Sequence, residues 1–323
     1  MKQLADSSGL AGDPRVLAAR LAADGYLFFR GLLPRARMRA TGAAIAAQLR
    51  AGGWFGRDGS PRAGAGGTSV REALADPAFL AAMTSPGFNQ IPYLPPLRAL
   101  VRRILGPGAF SYPSKVLRAV GPEEPGAGRP RGRYIHCDYA VSGVQDMLTT
   151  WLPLMDIPPV LGGLAIRPGG HLGPWRPPHL LVAAERHWAT AHYHPGDVLL
   201  FHCLTPHAAL PNNATALRLS GDFRWQRPDR PAPAELILGP GLGRAGTPEG
   251  RRPGWDPGRG PGPGPGREMF SRLLANQEWW EPVPAGLTLC PRAWLTARPP
   301  GPSQFFAVHP GWQRWRPPPA EAH

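Results

Sequence analysis

A chain of 323 residues with 11 Trp and 11 Phe has ample apolar bulk for a core, and one large domain or two average ones fit its length. The formal net charge of +14 comes almost wholly from Arg spread along the chain, with no dense basic block, which argues against a dedicated nucleic-acid surface. Three cysteines without C-x-x-C spacing exclude a disulfide framework, and no apolar run approaches a membrane span, so the expectation is a cytoplasmic chain with no membrane partner.

Asp13-Pro14 followed by Arg15 to Asp24 and Gly25 predicts a capped helix, with Asp13 at N-cap, Pro14 at N1 and Gly25 at C′. Tyr26–Arg30 reads as a short strand, Leu33–Leu49 as an Ala-rich helix, and residues 56–67 as a mobile loop. Ser69-Val-Arg-Glu72 reads as a capping box opening a helix through Ala82, and Leu97–Leu105 as a further helix closed by Gly106-Pro107. From Phe110 the pattern changes to short extended runs between Gly/Pro turns: Ser111–Val120, Tyr134–Val141, Leu148–Met155, Leu164–Arg167, Trp188–His192, Asp197–His202 and Leu217–Trp225. Strands at this density predict a β-sandwich or jelly roll. The loop 121–132 reads as a lid or a connector.

Gly 41 and Pro 43 make up about a quarter of the chain, and they concentrate in residues 227–267, which read as a mostly disordered insertion. Glu268–Gln277 reads as helical, and the Trp-rich remainder of 268–323 as a tail folding back on the core. The whole is read as one domain, 1–323, with its core at about 110–226.

His136-Cys-Asp138 carries the chemistry. In an extended segment, side chains two residues apart share a face, so His136 and Asp138 can offer two ligands side by side. His207 follows the apolar run Val198–Phe201 and can come to the same point from a partner strand. Two His and one carboxylate form the facial ligand set of a mononuclear Fe(II) oxygenase, which leaves three positions for an oxoacid and O₂. Arg218, eleven residues after His207, alternates with apolar neighbours and so faces inward, where a guanidinium needs an anion.

These pieces, with Trp151-Leu-Pro-Leu-Met-Asp156, Gly162 to His171, Gly196-Asp-Val-Leu-Leu-Phe-His202, Asn212-Asn213 and Asp24 to Leu33, resemble the phytanoyl-CoA dioxygenase family of Fe(II)/2-oxoglutarate oxygenases over roughly half the chain. The resemblance implies a double-stranded β-helix (mainly β, α+β) with flanking N- and C-terminal helices. It implies Fe(II) at His136, Asp138 and His207, with Arg218 anchoring 2-oxoglutarate and Trp151 lining the cosubstrate pocket. It also implies O₂ as co-reactant, ascorbate as assay reductant, and a small organic molecule hydroxylated as 2-oxoglutarate becomes succinate and CO₂. Retention of Asp138 favours hydroxylation over halogenation, since related halogenases carry a small residue there. The sequence departs from the family at Gly170, where Ser or Thr usually precedes the His. The family's cosubstrate-binding Lys has no clear match, and Lys115 sits at an uncertain offset.

Other readings of the same residues stand beside this one. His202 competes with His207 for the metal, and His192-x-His194 offers a cupin-like alternative pair. His171 reads as a loop residue, Trp151 equally as plain core, and Cys137 and Cys203 as small buried residues. Arg224 completes an Arg-x₅-Arg spacing found also in nucleic-acid demethylases. A nucleic-acid-directed oxidative demethylase, a basic nucleic-acid-binding module and a non-catalytic jelly-roll scaffold are the rival functions.

Overall fold

The structure, a computed structural model, describes residues 1–62, 73–123, 135–173, 187–237, 284 and 286–290. The N-terminal part supplies β1 (Lys2–Gln3), α1 (Pro14–Asp24), β2 (Tyr26–Phe29), α2 (Arg35–Ala51), α3 (Pro77–Met83), α4 (Pro86–Asn89) and α5 (Pro95–Leu105). The Asp13 carboxylate accepts from the Arg15 amide at 2.8 Å, and Gly25 closes α1 at φ 77°, the left-handed turn read from the sequence. α3 is capped by Asp76, which accepts from Ala78 N at 2.8 Å and Phe79 N at 3.0 Å, with Pro77 at the first helical position. The capping box expected at 69–72 lies outside the described residues.

The strands that follow are β3 (Phe110–Ser111), β4 (Val116–Val120), β5 (Leu148–Pro153), β6 (Leu164–Ile166), β7 (Ala189–Thr190), β8 (Val198–His202), β9 (His207–Ala209) and β10 (Arg218–Gln226). They form two facing sheets. The larger runs β2-β8-β5-β10-β3, with β4 also paired to β10, and the smaller runs β1-β7-β6-β9. This is the expected double-stranded β-helix, with helices laid on one side.

Two separate cores fix the larger sheet, because its strands are apolar on both faces. On the outer face Leu27, Leu152, Leu200, Leu219 and Phe223 pack against Leu21, Ile45, Phe79 and Leu97 of the helices. On the inner face Tyr26, Phe28, Trp151, Leu199 and Phe201 meet Leu164, Ile166 and Tyr193 of the smaller sheet. Each large side chain withdrawn from water contributes roughly 1.5–3 kcal/mol, so either core lost would open the sandwich. The inner core occupies only part of the barrel. A polar stretch beside it is set by β10, whose inward residues are Arg218, Ser220, Asp222, Arg224 and Gln226.

Three expectations need correction. Ser111–Val120 is two strands rather than one, since Pro113 cannot donate to a ladder and the chain bends between β3 and β4. Tyr134–Val141 is not a strand: residues 124–134 lie outside the described set, His136 makes one isolated bridge to His207, and Tyr139–Ser142 is a short helix, α6. His207, expected just past a strand, itself begins β9. Of the 227–267 segment, 227–237 are described and include β11 (Ala232–Pro233) and α7 (Ala234–Ile237), and the remainder lies outside. β11 pairs with β12 (Leu289–Cys290) of the tail. The tail's other residues, including its tryptophans and the 268–277 helix, fall outside the described set.

Candidate metal centre

His136 and His207 are antiparallel partners that exchange both backbone hydrogen bonds, His136 N to His207 O at 3.1 Å and His207 N to His136 O at 2.9 Å. Directly paired residues project to the same face, which sets the two imidazoles side by side with ring centroids 4.3 Å apart. One residue beyond Cys137 the chain leaves the extended conformation. Asp138 has φ −60° and ψ −24° and starts α6, its carbonyl accepting from Val141 N at 3.0 Å and Ser142 N at 2.9 Å. A helical turn, and not strand alternation, therefore swings the carboxylate beside the histidines.

The result is compact. Asp138 Oδ1 lies 3.8 Å from His136 Nε2 and 3.8 Å from His207 Nε2, and among the described residues these three form one group able to hold a metal ion. His207 Nδ1 lies 3.0 Å from the Thr205 carbonyl and must donate its proton there, which leaves Nε2 as the free lone pair. Thr149 donates its hydroxyl to Asp138 Oδ2, so the carboxylate has one oxygen tethered and the other turned to the histidines. Burial alone would raise the Asp138 pKa, but Arg224, then His207 and His136, outweigh it and hold the carboxyl well below its usual range. An anionic carboxylate and two imidazoles on one face fit a divalent first-row metal, Fe(II) among them.

Arg218 is 2% exposed, and burial pushes its guanidinium down to about 10, leaving it charged at neutral pH. Its donors reach only backbone carbonyls, Leu210 O at 3.2 Å and Gly163 O at 3.5 Å, and its Nε has no hydrogen-bond partner among the described residues. The nearby Asp222 is taken by Arg118, at 2.8 Å. A buried guanidinium in that condition calls for an anion, and none of the described residues supplies one. Trp151 sits on the inner face opposite Asp222, edge-on to Tyr193 at 4.7 Å, where it walls the barrel.

The rival histidines do not join this group. His202 is wholly buried, with its pKa driven to about 3 by burial, and its Nδ1 accepts from Leu204 N at 3.2 Å. His171 lies 2.9 Å from the Ala22 carbonyl, and its ring is 6.0 Å from that of His202. His194 pairs with Asp156 at 2.7 Å beside His192. Cys137 and Cys203 are buried and free, and burial pushes the Cys137 thiol up to about 12. Lys115 is buried with its amine 5.3 Å from the Tyr93 ring, and burial lowers its pKa to about 7.

Two residues beside the triad have no clear signal of that place in the sequence. Thr149 carried no motif, and its place on β5 opposite Arg224 emerges only from the strand pairing. Arg224 was noticed for its spacing alone, yet its guanidinium lies 3.6 Å from Asp138 Oδ1.

The phytanoyl-CoA dioxygenase family model matches residues 21–220, more than half of the chain, from the last turns of α1 into β10. The chain belongs to the phytanoyl-CoA dioxygenase family. It is 28% identical over 151 residues to a 1-deoxypentalenic acid 11-beta-hydroxylase of Streptomyces exfoliatus, covering 38% of this chain and about half (51%) of that enzyme. A similarly named hydroxylase of Streptomyces arenae is 26% identical over 251 residues, covering 69% of this chain and 84% of that enzyme. Among solved structures the apo form of the non-heme monooxygenase ThoJ superposes with a TM-score of 0.50 at 20% identity, over 66% of this chain and 78% of that one, a likeness of fold.

Proposed function

We propose that this family member is an Fe(II)/2-oxoglutarate-dependent dioxygenase that hydroxylates a small organic molecule, with His136, Asp138 and His207 as the metal ligands. The observation that carries it is the pairing of that triad with Arg218, a charged, buried guanidinium on β10 of the facing sheet with no salt-bridging carboxylate among the described residues. Arg218 binds the far carboxylate of 2-oxoglutarate, and Trp151 walls the cosubstrate space. Bound Fe(II) supplies the redox chemistry that couples decarboxylation of 2-oxoglutarate by O₂, giving succinate and CO₂, to insertion of the second oxygen atom into a substrate C–H bond.

The residues do the rest. The paired backbone of His136 and His207 holds both imidazoles in one orientation. The Thr205 carbonyl keeps the proton on His207 Nδ1, and Thr149 stops the Asp138 carboxylate from rotating. Asp138 itself occupies the position that a halide would need, which favours hydroxylation. The hydroxylase names of the Streptomyces relatives are consistent with a small substrate. A cytoplasmic setting is supported by the free thiols, and no described helix is long and apolar enough to cross a membrane.

The Arg-x₅-Arg spacing needs no nucleic acid to explain it, because both guanidinium groups are buried inside the barrel, 2% and 7% exposed. The test is aerobic incubation of the Fe(II)-loaded chain with 2-oxoglutarate, ascorbate and a panel of small terpenoid and other acids. Succinate should form in step with a product 16 mass units heavier, the increment of one oxygen atom. A panel member converted without 2-oxoglutarate consumption would contradict the reading, as would tight, salt-dependent DNA or RNA binding with no turnover.

A further inference from the structure

The inward face of β10 has an unusual record of unmet polar atoms. Arg218 Nε, Ser220 Oγ, Asp222 Oδ1 and Arg224 Nε are all buried with no hydrogen-bond partner among the described residues. They are consecutive inward positions of one strand, and Arg218 and Arg224 are about 20 Å apart at their backbones by the strand rise. Unmet donors and acceptors in a row are costly unless something polar lies along them. Such a ligand would have an anionic group at the Arg218 end and another at the Arg224 end.

Arg224 has a second peculiarity. Its guanidinium is 3.6 Å from Asp138 Oδ1, too far for a hydrogen bond, and that oxygen is the one facing both histidines. With a divalent ion held by the triad, the Asp138 charge that Arg224 now shares would be engaged by the metal. The Arg224 guanidinium would then face a like charge in a buried site, which is unfavourable unless an anion lies within reach of both.

We propose that Arg224 receives the 2-oxoacid carboxylate of the cosubstrate, at the metal end, while Arg218 receives the opposite carboxylate. This rests on the Fe(II)/2-oxoglutarate reading above. Arg224 lies beyond residue 220, where the family match ends. Arg224 is thereby a positioning residue for the cosubstrate, distinct from the ligand set.

The experiment is anaerobic titration of the full-length Fe(II)-loaded chain, read by the visible charge-transfer absorption that a chelating 2-oxoacid produces on Fe(II). The two probes are 2-oxoglutarate and 2-oxobutyrate, which keeps the 2-oxoacid end and lacks the far carboxylate. Arg224→Gln should raise the Kd for both probes by tenfold or more, while Fe(II) stoichiometry stays at the wild-type value. Arg218→Gln should raise the Kd for 2-oxoglutarate alone. Arg224→Lys, which keeps the charge and loses the fork, should fall between wild type and Arg224→Gln, and it serves alone if the Gln variant does not fold. The inference is overturned if Arg224→Gln leaves both affinities within twofold of wild type, weakens 2-oxoglutarate only, or abolishes Fe(II) binding. Wild type that holds Fe(II) but binds neither probe would instead overturn the functional reading itself.

Discussion

Asp138 divides its work between its two oxygens. Oδ2 takes the Thr149 hydroxyl, and Oδ1 is left to the histidines and Arg224. Thr149→Val should therefore lower metal affinity on the order of 10–100-fold, as loss of a hydrogen bond that orients a ligand does. Thr149→Ser should retain most of it. Competition against a chelator with Co(II) as the reporter ion measures both, and an unchanged Thr149→Val affinity would remove Thr149 from the site. His136→Ala should abolish stoichiometric metal binding in the same assay. At this scale His136, Asp138, His207 and Arg218 were legible because each is a chemically distinctive residue at a telling spacing. Thr149 was not, since one hydroxyl among the Thr residues of an apolar strand has no signature until the strand's partner is known.

The elements explain why His136, Asp138 and His207 converge. Strand alternation correctly turned Arg218 inward, but it gave a false reason for the neighbourhood of His136 and Asp138. The Tyr139 amide donates to the Cys203 carbonyl at 3.0 Å, and the Ser142 hydroxyl to the Asp138 carbonyl at 3.1 Å, tertiary and capping bonds that pull the segment into a turn. Local β-propensity could not register them. The helices were more readable, because their caps (Asp13, Gly25) are local in sequence.

One contact between layers makes a sharp element-scale prediction. On α2, a Cβ at Gly42 would lie 2.0 Å from the Leu154 carbonyl oxygen, just past β5. Gly42→Ala should cost about 1–3 kcal/mol by forcing helix and sheet apart. Gly9→Ala, with nothing within 4 Å, should be near neutral. Denaturant midpoints compare the two, and equal midpoints would contradict this packing of α2.

At the scale of the whole molecule, stability should depend on pH through two histidines that lie outside the triad. Burial holds His202 near pKa 3 and His171 near 4, whereas an unfolded His titrates near 6.5. The unfolded chain therefore binds more protons between those values, and stability must fall as pH drops from about 6.5 towards 4. Each histidine adds a slope of up to about 1.4 kcal/mol per pH unit. Urea unfolding at pH 7, 6, 5 and 4 checks this, and a flat profile across that window would show both rings to be solvated. The jelly roll was legible as a whole because strand density and the ordered motifs agree. The polar lining of the barrel was not, because it depends on which neighbours β10 acquires.

The central claim is that the triad and Arg218 together hold Fe(II) and 2-oxoglutarate. Anaerobic addition of 2-oxoglutarate to the Fe(II)-loaded chain tests it most directly. The account predicts a saturable visible charge-transfer absorption at one equivalent of Fe(II), lost in His136→Ala and shifted to higher ligand concentration in Arg218→Gln. Wild-type protein that retains its Fe(II) and shows no such absorption at saturating 2-oxoglutarate would contradict it.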